Sequence, residues 1–266
     1  MDPSINLCLF PPLKNYNINY YNTKKIKTNI NLVNLDNTIE YGNKKYIEYL
    51  DKIKNYKFIN IFENIDYSLL DKESIKLANI DAIFNVTNKI FTLDNKESNE
   101  NFNFYEDEIY MEKYIYYRFP NAIKTNNNID LIITNNIFEI KEFNKLKLGG
   151  NLVIKLNDIS NIIYLYRIYY LSLCFEKISI IKPVTTLPYD NEKYLICINK
   201  INNNLNNINL FANNIKVNKL PNKFIEWYIE INDEIMELQI NYIININKTI
   251  NNPYDLNKFP IIWNIY

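Results

Sequence analysis

The chain contains no histidine and only three glycines among its 266 residues. Without histidine, serine–histidine–aspartate catalysis, cysteine–histidine catalysis and histidine-held zinc are all excluded. The whole glycine supply is Gly42, Gly149 and Gly150, so neither a P-loop nor a G-x-G-x-x-G turn can be formed. A nucleotide or cofactor would therefore have to be bound without a glycine-rich cradle.

Long apolar runs and paired cysteines are also missing. No stretch of roughly 18 uncharged apolar residues occurs, so we expect no membrane-spanning helix. The opening MDPSINLCLFPPLKN has neither a basic segment nor a long apolar core, so we expect no signal peptide. Cys8, Cys174 and Cys197 have no metal-binding or redox spacing, and their odd number suits a reducing compartment. These features predict a cytoplasmic protein without a metal site.

The charges balance, and the chain is rich in core-forming residues. Lysine plus arginine number 30 and aspartate plus glutamate also number 30, which argues against a generally basic nucleic-acid binder. Hydrophobic residues make up 47% and aromatic residues 15%, enough for the core of one large domain. We expect an irregular N-terminal segment over 1–40, an α/β domain over 41–200, and a C-terminal helical segment over 201–266 packed on that domain.

Short apolar runs alternate with helix-period patterns, which predicts an α/β fold with helices on both faces of one sheet. We expect a mostly parallel sheet whose last strand is antiparallel, the Rossmann-type layout of S-adenosylmethionine-dependent methyltransferases. The acidic stretch 92–108 is predicted to be a surface loop, and Gly149 a helix C-cap. Strands are predicted at 57–62, 80–86, 129–134, 151–156, 176–182 and 192–199, and helices at 46–53, 68–78, 108–119, 136–147, 159–174 and 222–247.

The stretch LKLGGNLVIKL (146–156), the helix after it and ISIIKPVTTLPYDNEKYLICIN (178–199) resemble the C-terminal half of the FtsJ-like RNA 2′-O-methyltransferases. In that family a Gly-Gly turn enters a strand that bears a catalytic lysine. A later strand pair carries Lys-Pro, a loop, and a glutamate two residues before a tyrosine. The matching positions are Lys155, Lys182, Pro183, Glu192 and Tyr194; the family's aspartate falls on Asn135, and its first lysine, from an early helix, on Lys44 or Lys45.

This resemblance implies a lysine–aspartate–lysine–glutamate set that activates a ribose hydroxyl for attack on a methyl group. Asn135 is neutral and cannot supply the carboxylate. The family also binds its cofactor at a glycine-rich turn after the first strand, whereas KFINIFENIDYS contains no glycine. Simpler interpretations stay open, because Lys155 also fits a lysine whose head reaches solvent from a strand end, and Asn135 a helix cap.

A methyltransferase scaffold without the cofactor turn resembles the small subunit of the poxvirus-type mRNA-capping enzyme. That subunit is non-catalytic and stimulates the guanine-N7 methyltransferase of the large subunit. Local similarities are EYG (40–42), IDAIFNVTNKIF (80–91), NLVIKL before a helix, and KFIEWYIEINDEIMEL (223–238).

Two functions are therefore carried forward. The capping-enzyme resemblance implies a viral-type heterodimer with a large catalytic subunit, with S-adenosylmethionine bound by the partner and indirect contact with RNA as a possibility. In that case this chain is a regulatory subunit without catalytic or cofactor-binding residues. Lys155, Asn135, Glu192 and Lys44 would then be vestigial. The alternative is a catalytic S-adenosylmethionine-dependent RNA cap 2′-O-methyltransferase that uses these positions, and Glu192 favours it.

Overall fold

The computed structural model shows a seven-stranded sheet and a separate two-stranded sheet, with helices on both faces of the larger one. It describes residues 21–22, 32–33, 71–88, 102–107, 110–156, 162–183, 186, 192–202 and 220–249. The predicted helix at 46–53, the predicted strand at 57–62, and Lys44 lie outside these residues. The elements are β1 Tyr21–Asn22, β2 Leu32–Val33, α1 Lys72–Phe84, β3 Asn103–Asp107, α2 Glu112–Arg118, β4 Ile123–Lys124, β5 Ile129–Thr134, β6 Leu146–Leu156, α3 Ile162–Ser172, β7 Phe175–Ile181, β8 Lys193–Lys200, β9 Leu220–Pro221 and α4 Asn222–Thr249.

The large sheet has the strand order β1–β7–β8–β6–β5–β3–β4. Strands β4, β3, β5 and β6 run parallel to one another. Strand β8 runs antiparallel to both of its neighbours, β6 and β7. The predicted mostly parallel sheet with an antiparallel last strand is thus confirmed. The β7–β8 pair does not form the sheet edge, because β8 is inserted between β6 and β7 and the short β1 pairs with the outer side of β7.

Two hydrophobic cores lie on opposite faces of the sheet. Alternate residues of β6 enter different cores, Val153 packing with the residues of α1 and α2, and Leu152 with those of α3 and α4. The predicted apolar stripe of the C-terminal helix is buried in the second core at Phe224, Trp227, Tyr228, Ile231 and Ile235. The C-terminal helix therefore packs on the same sheet as the rest of the fold.

Helix α1 extends through a segment that we predicted to be a strand. The Asp71 carboxylate caps the helix by accepting a hydrogen bond from the Ser74 amide at 2.8 Å. The helix ends where Asn85 adopts a left-handed conformation with φ of 51°. The strand predicted at 80–86 is wrong because the first part of that apolar run belongs to a helix buried on most of its sides, including Leu77, Ala78 and Ile80.

Strand β3 lies within the predicted loop 92–108, so that part of the prediction is wrong. Its burial alternates along the strand, with Phe104 and Glu106 buried and their neighbours half-buried. The alternation predicts a strand, but the buried glutamate interrupts the apolar pattern that would have revealed it. A polar strand of this kind depends on its position in the sheet, between β5 and β4, more than on its own propensity.

The predicted helix at 136–147 is also wrong, and Gly149 is not a helix C-cap. After β5 the chain makes a turn in which the Asn136 side chain accepts hydrogen bonds from the amides of Phe138 and Glu139. A single 3₁₀ turn, Phe143–Lys145, then leads directly into β6. The side-chain oxygen of Asn136 thus stabilises a turn at the position where we predicted the start of a regular helix.

The two neighbouring glycines form a bulge inside β6. Ile129 and Leu131 of β5 pair with Leu146 and Asn151 of β6, so residues 147–150 face Asp130 alone. Gly149 has φ of +81°, and a Cβ atom on Gly150 would lie 2.7 Å from the Leu146 side chain and 3.0 Å from the Asp130 carbonyl oxygen. Glycine is required at both positions, at one for its conformation and at the other for space.

A buried lysine–glutamate cluster as the candidate functional site

The candidate site lies where β6 ends and β8 begins, on the face covered by α1. Lys155 is opposite Tyr194 in the antiparallel β6–β8 ladder. Glu192 directly precedes β8 and is two residues from Tyr194, which puts both side chains on the same side of the strand. Tyr194 is fully buried in the core beneath α1, and its hydroxyl donates a hydrogen bond to Glu192 Oε1 at 2.5 Å.

Helix α1 brings a second lysine to this edge. Lys76 Nζ donates to both oxygens of Glu192, at 2.9 Å and 3.1 Å, across 116 residues of sequence. Lys76 and Glu192 are each 7% exposed. Their contact joins α1 to the start of β8.

A second carboxylate completes the arrangement. Glu73, in the first turn of α1, has Oε1 2.6 Å from Lys76 Nζ and Oε2 3.7 Å from Lys155 Nζ. Glu192 Oε2 is 3.5 Å from the same Lys155 ammonium. We call Glu73, Lys76, Lys155 and Glu192 the ion cluster. Each lysine contacts both carboxylates, so the four charges alternate around the cluster and sum to zero.

The electrostatics favour full ionisation of the Glu192–Lys76 pair. Burial alone raises the pKa of Glu192, but the hydrogen bonds from Lys76 and Tyr194 and the charges of Lys76 and Lys155 outweigh it, so the pKa is lowered. Burial lowers the pKa of Lys76, yet its contacts with Glu192 and Glu73 produce a net increase. Lys76 is therefore a fixed cation at neutral pH and not a proton acceptor.

Helix α1 is held in place beneath the cluster by a buried polar network. Asp81, 4% exposed, accepts hydrogen bonds from the Tyr114 hydroxyl at 2.7 Å and from the Thr87 amide at 2.9 Å. Its Oδ2 also lies 3.2 Å from Arg118 Nε of α2. The network ties the two helices together and so fixes the height of Lys76 above the sheet.

The structure brings together Lys155 and Glu192, two of the site residues that the sequence singled out. Asn135 follows Thr134, which pairs with Ile154, so Asn135 and Lys155 are the next residues on neighbouring strands. Asn135 is exposed. The Nζ of Lys182 donates a hydrogen bond to the backbone carbonyl of Glu192 at 3.2 Å.

Sequence reasoning missed Lys76. It expected the family's first lysine in an early helix and chose Lys44 or Lys45, which lie outside the described residues. Lys76 lies within the helix predicted at 68–78, so the helical pattern and the expected residue type were both present in the sequence. What the sequence did not show was the contact with Glu192 in a strand far along the chain. Glu73 was missed for the same reason.

The other candidate ligand position is the crevice between β3 and β5, where the strand order reverses. Ligands of open α/β sheets bind outside the carboxyl ends of the strands at such a point. Here the buried Glu106 accepts a hydrogen bond from the Met111 amide and lies 3.5 Å from Lys124 Nζ. Asp107, the last residue of β3, is 3.2 Å from Lys141 Nζ in the β5–β6 connection. The acidic side chains at the end of β3 are thus engaged with groups of the chain itself.

In the described part of the chain, no group of three or more acidic or cysteine side chains is arranged to hold a metal ion. None of the helices there is both long enough and apolar enough to cross a membrane.

Comparison with known proteins finds weak similarity to cap-specific mRNA (nucleoside-2'-O-)-methyltransferase 1, an FtsJ-like enzyme, from several organisms. The Xenopus laevis protein is 26% identical over 121 residues, covering 38% of this chain and 14% of that protein. The Homo sapiens protein is 26% identical over 122 residues, with 38% and 14% covered. The Dictyostelium discoideum protein is 30% identical over 112 residues, with 37% and 15% covered.

These relatives are much longer than this chain, which spans only 14% or 15% of their length. No protein-family model matches the chain. The similarity agrees with the α/β methyltransferase-like fold and with the resemblance to FtsJ-like cap 2′-O-methyltransferases.

Proposed function

We propose that this chain acts in mRNA cap methylation as the non-catalytic, stimulatory subunit of a viral-type capping enzyme. It binds the guanine-N7 methyltransferase domain of a large subunit and activates it. The observation that carries this proposal is the end of β3, where no glycine-rich turn is present and the acidic side chains bind groups of the chain itself.

The residues at this crevice do not fit S-adenosylmethionine in the manner of the resembled family. Close approach of a backbone to a ligand needs glycine, and the sequence has none between Gly42 and Gly149. After β3, Tyr110 takes φ of 62° with its side chain 72% exposed, so a bulky residue stands in a backbone conformation that usually needs glycine. Under this first function we therefore assign no methyl-transfer step to this chain. Asn135, in the position of the family's aspartate, supports the same conclusion.

Stimulation of a partner requires only differential binding. A subunit that binds the active conformation of a methyltransferase more tightly than the inactive one shifts the population toward the active form. A coupling free energy of about 1–3 kcal/mol would raise activity or cofactor affinity roughly 5- to 150-fold. We expect a heterodimer interface on the order of 2,000 Å² if the association is permanent. S-adenosylmethionine and capped RNA are then bound by the large subunit, in the cytoplasm.

The test combines this full chain with a candidate large capping-enzyme subunit. Guanine-N7 methylation of capped RNA and the affinity of the mixture for S-adenosylmethionine are measured with and without the chain, and with an equal amount of an inert protein. We expect an increase of at least fivefold in rate or affinity. An unchanged rate and affinity at saturating amounts of a chain shown to bind the large subunit would refute the proposal.

A second candidate function is favoured by the comparisons: catalysis of cap 2′-O-methylation by this chain. The relatives carry that activity in their names. The ion cluster also supports it, because Lys76 and Lys155 both contact Glu192, and the resemblance implies two lysines and a glutamate at its site. In this function Lys155 would hold the ribose 2′-hydroxyl, while Glu192 and Lys76 would fix the position of Lys155. The bond from the 2′-oxygen to the methyl group would form as the sulfur–methyl bond of the cofactor breaks, and the hydroxyl proton would be lost to solvent. The cofactor would supply only the methyl group.

Calorimetric titration of the isolated chain with S-adenosylmethionine separates the two candidates. The first predicts no measurable binding, and the second predicts micromolar affinity together with 2′-O-methylation of capped RNA. Under the second, Lys155→Ala would abolish methylation. Lys113→Ala, which changes a lysine that is 63% exposed and contacts Asp71, would leave methylation unchanged.

A further inference from the structure

Glu73 occupies a position prepared for a carboxylate. The Asp71 cap fixes the first turn of α1, and a negative charge in a first helical turn is stabilised by the free amide groups there. Glu73 is 32% exposed along its side chain, but its Oε2 atom is buried and accepts no hydrogen bond within the described residues. That buried oxygen lies 3.7 Å from the Lys155 ammonium.

The charge of the cluster depends on this residue. Without Glu73, the cations of Lys76 and Lys155 would share the single carboxylate of Glu192 in a largely buried site. Asn135 cannot compensate, because its amide carries no charge. An uncompensated charge in such a site is strongly unfavourable.

We propose that Glu73 supplies the carboxylate that Asn135 cannot, and that it positions Lys155 in the ion cluster. The resembled family balances two lysines with an aspartate and a glutamate. This chain keeps that balance, but its second carboxylate comes from α1 on the far side of the cluster instead of from the end of β5. The proposal concerns charge and geometry within the chain, so it holds under either candidate function.

The contacts of the two carboxylates are nearly equivalent, which supports this role. Glu73 reaches Lys76 with Oε1 and Lys155 with Oε2, and Glu192 does the same, at 2.9 Å and 3.5 Å. Lys155 is thus held between two carboxylate oxygens that belong to different elements. Removal of Glu73 would leave Lys155 with one partner and would loosen the tie between α1 and β6.

The test measures the reactivity of Lys155 in the isolated full chain, without partner, RNA or cofactor. Acetic anhydride labelling at fixed pH, quantified by mass spectrometry, reports how accessible the Lys155 amine is and how firmly its contacts hold it. We compare the unaltered chain with Glu73→Gln, which keeps the size and removes the charge. We expect labelling of Lys155 to become roughly tenfold faster, since one of the two carboxylate contacts that hold the amine in place is removed.

The matched control is Glu112→Gln. Glu112 also lies in a first helical turn and contacts a lysine, Lys124, at 2.7 Å, but outside the ion cluster. It should leave labelling of Lys155 unchanged. The double variant Glu73→Gln/Asn135→Asp restores a carboxylate at the family's position and should return labelling to the original rate.

Each result decides the question. An unchanged labelling rate in Glu73→Gln overturns the proposal, as does a double variant that remains fast. If Glu73→Gln fails to fold, labelling of the double variant alone is compared with that of the unaltered chain. If the double variant also fails to fold, a carboxylate at position 135 does not substitute for Glu73, and the proposal is overturned. None of these outcomes depends on whether the chain stimulates a partner or methylates RNA.

Discussion

A buried lysine lies at each end of strand β8: Lys76, which comes from α1, at its start, and Lys200, the last residue of the strand, at its end. The two lysines have different surroundings. At its start, Glu192 binds Lys76, which is 7% exposed and also contacts Glu73. At its end, Lys200 is 1% exposed and donates to the carbonyl oxygens of Phe143 and Leu146 at 2.8 Å and 2.9 Å. One end of the strand pairs its buried cation with carboxylates, and the other pairs it with neutral groups.

The difference appears directly in the proton affinity of the two amines. Burial lowers the pKa of both lysines, but hydrogen bonds to Glu192 and Glu73 reverse the shift at Lys76, whose pKa is raised. At Lys200 burial prevails, and the pKa is lowered. Lys200 stabilises the 3₁₀ turn before β6 through its hydrogen bond to the Phe143 carbonyl oxygen, whereas Lys76 is one of the two cations of the ion cluster. Burial of a lysine therefore does not by itself distinguish the candidate site; the carboxylates around Lys76 do.

The largest expected effect comes from breaking the charged end. Lys76→Met leaves Glu73 and Glu192 to share Lys155, so we expect a loss of about 3–5 kcal/mol in the free energy of unfolding. Urea unfolding measures the loss. Lys124→Met, at a lysine that is 43% exposed, should cost no more than about 1 kcal/mol. Equal losses in the two variants would contradict our account of the cluster.

A smaller effect is expected at the neutral end. Lys200→Met removes two hydrogen bonds but also removes a costly buried cation, so we expect a loss of about 1–2 kcal/mol at neutral pH. The pKa of Lys200 is lowered in the folded state, so the unaltered chain gains stability as pH rises from that folded value toward 10.5. The cost of the variant should therefore increase with pH.

Lys76 should show the opposite alkaline behaviour. Its pKa is raised on folding, so its contribution is complete below 10.5 and is lost as pH rises through the folded value. Unfolding curves of both lysine variants between neutral pH and pH of about 11 compare the two signs. The same sign for both variants would show that the two ends do not differ as described.

On the acid side, a single carboxyl group changes the free energy of unfolding by about 1.4 kcal/mol per pH unit at most. The pKa of Glu192 is lowered in the folded state, so its contribution is present above 4.5 and is lost as pH falls through the folded value. Glu192→Gln should flatten this part of the stability profile, which acid unfolding at several pH values measures. A profile that keeps its full acid slope in the variant would assign the slope to other carboxylates.

The smallest effect is expected for an ion pair outside the cluster. Lys113 Nζ is 3.3 Å from Asp71 Oδ2, and the lysine side chain is 63% exposed. Lys113→Ala should change the free energy of unfolding by no more than about 0.5 kcal/mol. Comparison of the unfolding free energies of Lys113→Ala and Lys76→Met separates the cost of losing a buried ion pair from the cost of losing an exposed one. A loss comparable to that of Lys76→Met would overturn this distinction.

The sequence predicted the elements whose patterns are independent of their neighbours. IDLIIT is apolar throughout and is β5, and the long amphipathic pattern from residue 222 is α4. The strand β3 was hidden by its polar residues, and α1 was split because its apolar run continues past the predicted helix end. In both cases tertiary position overrode the local pattern.

The candidate site was predictable only in its sheet half. Lys155 of β6 and Glu192, directly before β8, occur in a recognisable order in the sequence, and in the structure their charged atoms are 3.5 Å apart. Lys76 and Glu73 come from helix α1, and Lys76 is 116 residues away from Glu192 in the sequence. No spacing rule connects them, because the contact depends on the height and rotation of α1 above the sheet.

The glycine bulge of β6 affects which face of the sheet each later residue of the strand points to. Residues before and after 147–150 pair with β5 in different registers, so the bulge separates two independently aligned halves. The face on which Lys155 emerges is set by the stretch 151–156 that follows, which pairs with β5 on one side and β8 on the other. A change of one residue there would turn the ammonium toward α3, away from Glu192. An insertion or deletion of one residue within this stretch would therefore disrupt the ion cluster as effectively as a substitution of Lys155.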